Sequence, residues 1–251
     1  MQIVARVLFG LSAALFGIVE LLWRNSELWR DVRSVGTPVD AIVAWCVAIA
    51  LIGGGIGMMF SRTARAGALV IGCIYLLSAL STIPGMVAKP SAYVQYVDFF
   101  EKFSVVCGAF AVCAATQAAV ARMGMGVCAV SFGWAQIVYF QYTASLVPAW
   151  IWPNQAFWTM LTTVAFALAA VAMLVNVHAE LATRLMALMM ALFGVLVWVP
   201  RIIAHPGVPS NWNEFASNYV MTAAVWLVAI ASTARAARPA ALAGPTAQSV
   251  R

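Results

Sequence analysis

Eight stretches of about 20 mostly apolar residues follow one another along this chain, and a helix needs about that length to cross a bilayer. The stretches lie near residues 4–23, 39–60, 66–86, 99–119, 123–146, 155–177, 181–203 and 215–233. They are apolar on all sides, whereas the strands of an outer-membrane barrel alternate between apolar and polar residues over about 10 positions. The sequence therefore predicts an all-α, polytopic membrane bundle with eight transmembrane helices.

The composition argues against a soluble domain. Hydrophobic residues make up 64% of the chain and charged residues 9%, whereas about 25% of the residues of a soluble domain are charged. The first stretch could also be a secretory signal, since Arg6 precedes it. Secretory signals, however, have an apolar region of only about 7–15 residues, and this stretch is longer and contains Glu20. We therefore expect it to be a retained first span.

A phrase bracketed by prolines occurs twice in the chain. IPGMVAKP at residues 83–90 returns as VPRIIAHP at residues 199–206, which is 116 positions later. At the same spacing Asp98 corresponds to Glu214, and paired prolines and acids are harder to obtain by chance than paired apolar residues. Proline removes a backbone donor and kinks or ends a helix, so the phrase marks the end of the third helix in each copy.

The repeated phrase predicts an internal duplication. Residues 1–119 are predicted to form a first four-helix repeat, and residues 120–234 a second one. Residues 235–251 are predicted to be a disordered, basic tail in the cytoplasm. Because each repeat contains an even number of helices, both repeats should enter the membrane in the same direction, as parallel repeats do.

The placement of lysine and arginine predicts the orientation of the bundle. If the N-terminus is cytoplasmic, the inner side carries eight arginines and one glutamate, and the outer side carries the remaining six basic and seven acidic residues. We therefore expect an inner (plasma) membrane protein with both termini in the cytoplasm. The net charge of +6 is then an orientation signal, so the lipid bilayer, and not nucleic acid, is the predicted partner.

Signatures of common cofactor and metal sites do not occur in the sequence. The five cysteines all lie within predicted spans and form no CxxC pair, which indicates small buried side chains and not a thiol relay. His178 and His205 are predicted to lie on opposite sides of the membrane, so they cannot share a haem or a metal ion. We expect no haem, metal or flavin site, and the sequence does not decide whether the protein is catalytic.

Polar and aromatic residues near the outer membrane surface are the candidates for a ligand site, because ionisable groups are costly at membrane depth. These candidates are Glu20, Gln136, Trp198, Arg201, Trp212 and Glu214. Arg201 needs an acid or an anionic ligand group nearby, so we expect it to line an outward-opening pocket. The residues expected within its reach are Trp198, Trp212 and either Glu20 or Glu214. The alternative is an arginine that extends to the lipid headgroups.

A loop rich in tryptophan lies beside these candidates in the sequence. It reads LVPAWIWPNQAFW at residues 146–158 and contains three tryptophans and two prolines. Tryptophan is enriched where a membrane meets water, so one interpretation is an interfacial aromatic belt. The other interpretation is a lid over a cavity that opens outward.

The second repeat resembles the DoxX-like family of small four-helix membrane proteins. Members typically have an arginine and glycines in the first helix, a Pro–aromatic start of the second, a Pro-Arg pair ending the third and a tryptophan before the fourth. The matching residues are Arg122, Gly126, Gly133, Pro153, Phe157, Trp158, Pro200, Arg201 and Trp212. The resemblance covers residues 115–235 well and 1–119 weakly. Where the family often has a histidine before the Pro-Arg pair, this chain has Trp198 and Val199, and the first repeat has Pro84–Gly85 in place of the pair.

The resemblance implies a function class and no catalytic residues. Some members of the family resemble subunits of thiosulfate:quinone oxidoreductases or partners in membrane redox complexes. It therefore implies a redox-linked membrane subunit that binds quinone, or a membrane or periplasmic protein partner, through an outward-facing cavity. Two other classes stay open, namely a transporter or binder of a lipid-like small molecule that uses the same cavity, and a non-catalytic membrane scaffold.

Overall fold

The computed structural model describes residues 2–23 and 38–242, and the regular secondary structure of this part is helical, with no strand. Its first half contains α1 (Gln2–Trp23), α2 (Pro38–Met59), α3 (Ala64–Ser81), α4 (Ile83–Ala88) and α5 (Val94–Cys113). After a 3₁₀ turn at Ala115–Gln117, the second half contains α6 (Ala118–Val138), α7 (Phe140–Leu146), α8 (Gln155–Val175) and α9 (Ala179–Phe193). A π-helix at Gly194–Trp198 joins α9 to α10 (Val199–Ala204), and α11 (Pro209–Leu242) ends the described chain.

Seven helical segments are long and apolar enough to cross a membrane. They are Gln2–Trp23, Ile42–Met59, Ala64–Ala88, Ala118–Val138, Gln155–Val175, Ala179–Ala204 and Pro209–Thr233. Their outer faces are apolar as well, since Leu181, Leu185 and Leu188 are each more than half exposed, whereas a soluble helix turns such a stripe towards the core. The chain is therefore a multi-pass membrane protein, as predicted.

Three predicted features differ from the helices that the structure contains. The predicted span 99–119 corresponds to α5, which carries the three charged residues Asp98, Glu101 and Lys102 and is not among these seven segments, so eight spans stay a prediction. The predicted stretch 123–146 is divided at Tyr139, whose backbone leaves the helical region, into α6 and the short α7. The tail predicted to start at residue 235 continues α11 as far as Leu242, and residues 243–251 lie outside the described residues.

Glycines bring the helices of the first half into close contact. A Cβ atom on Gly10 of α1 would lie 2.3 Å from the carbonyl oxygen of Gly55 in α2. A Cβ atom on Gly67 of α3 would lie 2.5 Å from the carbonyl oxygen of Gly54 in α2. Small residues allow such approach, and close packing is what associates helices in lipid. The glycine run of α2 therefore contacts α3 closely at Gly54 and α1 closely at Gly55.

The corresponding helices of the second half carry side chains at the same places. With the spacing of 115–116 residues, Ala169 of α8 corresponds to Gly54, and Thr183 of α9 corresponds to Gly67. Both side chains are buried. Side chains therefore occupy places where the first half has backbone contacts, and α8 and α9 pack less extensively than α2 and α3 do. The second half therefore has more space between its helices than the first.

The two halves meet where α5 packs against α11. A Cβ atom on Gly108 of α5 would lie 2.4 Å from the Cβ of Ala224 in α11, and these two residues are 116 positions apart in the sequence. On either side of this crossing, α11 also packs against α1, and α5 packs against α6. The interface between the halves is thus built from the first and last long helix of each half.

Candidate ligand-binding cavity

A cavity of about 430 Å³ lies among the helices of the second half. Its wall is formed by α6, α7, α8, α9 with the following π-helix, and α11, while α5 supplies Val97 and Glu101. The lining residues lie near the end of α6 and near the starts of α8 and α11. All of these positions are at the end of the bundle that is predicted to face outward.

The deep part of the cavity is aromatic and apolar. The rings of Phe132 and Phe166 meet edge to face with centroids 5.7 Å apart, and Phe166 meets Phe193 in the same way at 6.4 Å. Met190 and Met221 complete this part of the wall. Edge-to-face aromatic contacts fix ring positions and stabilise the packing beyond the area that they bury. This end of the cavity therefore offers a rigid, flat-walled surface to an apolar ring.

Gln136 of α6 places an oriented amide in the wall. Its side chain is 8% exposed, and its Oε1 accepts hydrogen bonds from Thr162 Oγ1 at 3.0 Å and from Thr163 Oγ1 at 2.8 Å. The same two hydroxyls lie within hydrogen-bonding distance of the Thr159 carbonyl, at 3.1 and 2.7 Å. The threonines of α8 thus hold the amide in place, with Oε1 as the end that faces them. The Nε2 donor is consequently turned away from the two threonines.

Asn218 of α11 places a second amide in the wall. Its side chain is 7% exposed, and its Oδ1 has no hydrogen-bond partner among the residues that the structure describes. A buried polar atom without a partner costs about 1–3 kcal/mol. The cost would be recovered if a ligand hydroxyl or N–H group donated to this oxygen.

Two carboxylates complete the polar end of the cavity. Glu101 of α5 and Glu214 of α11 both line it, and Glu101 interacts electrostatically with Glu214, Asp98 and Lys102. Glu214 is exposed, whereas Glu101 is half-buried. Glu214 and Asn218 are four residues apart and therefore lie on the same face of α11. The cavity thus has a polar outer end and an apolar inner end.

The loop rich in tryptophan covers the outer end. Val147, Pro148 and Ile151 line the cavity, and the loop is tied to α8 because Trp158 Nε1 donates a hydrogen bond to the carbonyl of Trp152 at 3.0 Å. The side chain of Trp152 itself does not line the cavity and is 85% exposed. The segment therefore forms part of the cavity wall and also presents tryptophan at the surface, so both interpretations stay predictions.

The π-helix brings one more aromatic residue to the cavity. Pro200 follows it and has no N–H group to donate to the preceding turn, and π-helical turns of this kind are frequent at functional sites. Leu196, Val197 and Trp198 of this segment line the cavity. The Arg201 guanidinium lies over the Trp198 ring, 5.3 Å from its centroid, which is a cation–π contact.

The cavity brings together half of the residues predicted for a ligand site. Gln136, Trp198 and Glu214 line it, whereas Glu20, Arg201 and Trp212 are not in its lining. Glu20 is buried in α1, close enough to Tyr75 to interact with it electrostatically. Trp212 Nε1 donates a hydrogen bond to the carbonyl of Pro206 at 2.9 Å. Arg201 does not line the cavity itself, but it contacts the ring of Trp198, which does.

Sequence reasoning missed Asn218, Glu101 and the threonines of α8. A signal for Asn218 existed, because a polar residue four positions after Glu214 extends the same face of an apolar helix. Thr159 and Thr162 gave no signal, since hydroxyls are common in membrane helices, where they bond to the preceding turn as Thr159 does to the carbonyl of Gln155.

Neither a metal centre nor a known relative explains the cavity. Among the described residues, no group of three or more His, Cys, Asp or Glu side chains could hold a metal ion. Comparisons with family models, with curated proteins and with solved structures gave no match to this chain. A function must therefore be inferred from the chemistry of the cavity itself.

Proposed function

We propose that this chain is a redox-linked subunit of the inner membrane that binds a quinone in the cavity of its second half. The observation that carries the proposal is the combination of an aromatic inner end with oriented amides and carboxylates at the outer end. Ligand sites are typically apolar cavities of about 300–1,000 Å³ with a few placed polar groups. The cavity of about 430 Å³ falls within that range.

Both redox forms of a quinone would find partners here. The oxidised form has two carbonyl oxygens that accept hydrogen bonds, and Gln136 Nε2 is a donor held in place by Thr162 and Thr163. The reduced form has two hydroxyl groups that donate, and Asn218 Oδ1 is a buried acceptor without a protein partner among the described residues. The flat ring would pack against Phe132 and the other aromatic side chains of the wall.

The carboxylates supply the proton chemistry that such a ligand requires. Reduction of a quinone to a quinol consumes two electrons and two protons. Glu101 and Glu214 line the cavity, and carboxyl groups at membrane depth commonly belong to proton pathways. The sequence has no haem, metal or flavin signature, so the electrons would come from a membrane or periplasmic partner protein. This is why we describe the chain as a subunit and not as an autonomous oxidoreductase.

We also propose that the bundle has eight spans in two parallel four-helix repeats, with both termini in the cytoplasm. The contact between Gly108 and Ala224 supports this, because residues at equivalent positions touch each other where a two-fold axis passes between them. The pairs α1–α11 and α5–α6 are equivalent under the same axis. The DoxX-like resemblance fits this arrangement and stays part of the proposal.

A binder or transporter of another lipid-like molecule is the second candidate. It is favoured by the lining itself, which is mainly apolar and would accept many amphiphiles with a small polar head. Quinone remains the first proposal because it uses the donor, the acceptor and the carboxylates together.

The experiment is ligand identification combined with one substitution. Protein purified in mild detergent would be extracted and its small molecules identified by mass spectrometry. Binding of a quinone with a short tail would then be followed by tryptophan fluorescence, since Trp158 and Trp198 line the cavity. We expect Gln136→Leu to weaken binding at least about tenfold, because the ring oxygen loses its donor.

The matched control for this substitution is Gln141→Leu, which removes an exposed glutamine that does not line the cavity. It should leave quinone affinity unchanged. Another lipid or metabolite in the extract would support the second candidate, and a stoichiometric protein without any small molecule would support a scaffold. Equal quinone affinity for the two variants would contradict the role of Gln136.

A further inference from the structure

Lining residues of the cavity reach the surface of the bundle on α8 and α9. Leu192 of α9 lines the cavity and is 48% exposed, so its side chain borders both the interior and the outside. It precedes Phe193, whose ring faces Phe166 of α8. Trp158 and Thr162 line the cavity from α8 and are partly exposed. We call the stretch of surface between these residues the α8–α9 gap.

The sequence differs between the halves where the corresponding helices cross. In the first half α2 and α3 touch through Gly54 and Gly67. The second half has Ala169 and Thr183 at the corresponding positions, so side chains stand where the first half has none. The π-helix begins directly after Phe193, at the end of α9 that borders the gap.

The surroundings of the gap are apolar. α8 has no charged residue from Gln155 to Val175, and the exposed face of α9 presents leucines at positions 185 and 188, each more than half exposed. The ion pair between Arg184 and Glu180 lies at the opposite end of α9. A gap in such a surface opens towards lipid tails and not towards water.

We infer that the cavity has a lateral entrance at the α8–α9 gap, through which an amphiphile with a long apolar tail enters from the bilayer. The polar head of the ligand lies near Gln136 and Asn218, and its tail passes out between Trp158 and Leu192. This inference rests on the proposed function for its ligand class, but the direction of access can be measured without any ligand.

The test measures access to a cysteine placed inside the cavity. Ala135 lines the cavity from α6, so Ala135→Cys would be made after the five native cysteines are replaced. Two thiol reagents are compared in lipid nanodiscs, an N-alkyl maleimide dissolved in the bilayer and a charged methanethiosulfonate in water. We expect the maleimide to be preferred at Ala135→Cys by at least about tenfold relative to the exposed loop position Ala149→Cys.

A second substitution locates the entrance. Leu192→Trp should narrow the gap and slow labelling of Ala135→Cys by the maleimide at least about tenfold. Leu188→Trp, one turn earlier on the exposed face and outside the lining, should leave the rate unchanged. Thermal unfolding of each variant checks that the fold is kept.

Each outcome decides for or against the entrance. Equal reagent preference at Ala135→Cys and Ala149→Cys would overturn it, because the cavity would then open to water. A preference for the maleimide that Leu192→Trp does not change would place the entrance elsewhere and overturn it too. A lateral entrance without any quinone binding would instead contradict the proposed function alone.

Discussion

Asn213 and Asn218 lie on the same helix and are both buried, yet only one of them can meet a ligand. Both amide atoms of Asn213 and Oδ1 of Asn218 have no hydrogen-bond partner among the described residues. Asn218 lines the cavity and Asn213 does not. An unpaired buried polar group is costly, and replacing it by an apolar group of similar shape is often neutral or stabilising. The two residues therefore allow stability and binding to be separated.

We expect Asn218→Leu to weaken quinone binding at least about tenfold and to leave the ligand-free protein as stable as before or more stable. Asn213→Leu should stabilise the protein by about 1–2 kcal/mol and leave binding unchanged. Unfolding in detergent and tryptophan fluorescence titrations measure the two quantities. If both substitutions weaken binding to the same extent, Asn218 acts through the packing of α11 and not through contact with the ligand.

At the scale of the helices, the half that has side chains at the positions of the packed glycines is also the half that contains the cavity. The places of the helices could be predicted from apolar stretches, because length and polarity depend on the local sequence alone. The division of 123–146 at Tyr139 could not, since an apolar stretch continues through it. The cavity could not be predicted either, because it depends on distances between helices that side chains such as Thr183 set in three dimensions.

Among the site residues, Gln136 and Glu214 could be predicted because polar residues stand out in apolar helices. That Arg201 and Glu20 do not line the cavity could not be predicted, because the two residues lie in different halves and the sequence gives no distance between them. Equivalent residues also differ in chemistry between the halves, as Glu20 and Gln136 do. The predicted repeat therefore indicates where a side chain lies within its own half, but it does not indicate which residues that side chain contacts.

We expect Gly67→Thr, which introduces the residue found at position 183, to destabilise the first half by about 1–3 kcal/mol or more. The new Cβ would lie 2.5 Å from the carbonyl oxygen of Gly54 and 2.6 Å from the backbone nitrogen of Met58, and backbone atoms cannot move aside cheaply. Gly53→Thr is the control, because a Cβ there meets nothing within 4 Å. Equal thermal midpoints for the two variants would show that close packing of α2 and α3 is dispensable.

At the scale of the whole molecule, the two halves differ in the polarity of equivalent places. Lys102 corresponds to Asn218, and Glu20 corresponds to Gln136. The first half thus has ionisable groups, and closely packed glycines, where the second half has amides and open space. Because α5 contributes Glu101 to the cavity and packs against α11, the first half also supports one wall of the site. We interpret the first half as the rigid support of a site that the second half contains.

The proposed orientation is tested from both ends of the bundle. Arg6 Nη2 donates a hydrogen bond to Ser61 Oγ at 3.2 Å, so the start of α1 and the turn after α2 lie at the same end. Arginines favour the cytoplasmic side, and Arg62 and Arg65 lie next to this turn.

In a cysteine-free protein in intact cells, we expect an impermeant thiol reagent to label Ser210→Cys from outside and to label Ser61→Cys only after permeabilisation. Both serines are exposed, so access to water does not distinguish them. The reverse pattern would put the polar end of the cavity in the cytoplasm, and the partner that supplies electrons would then have to be cytoplasmic as well.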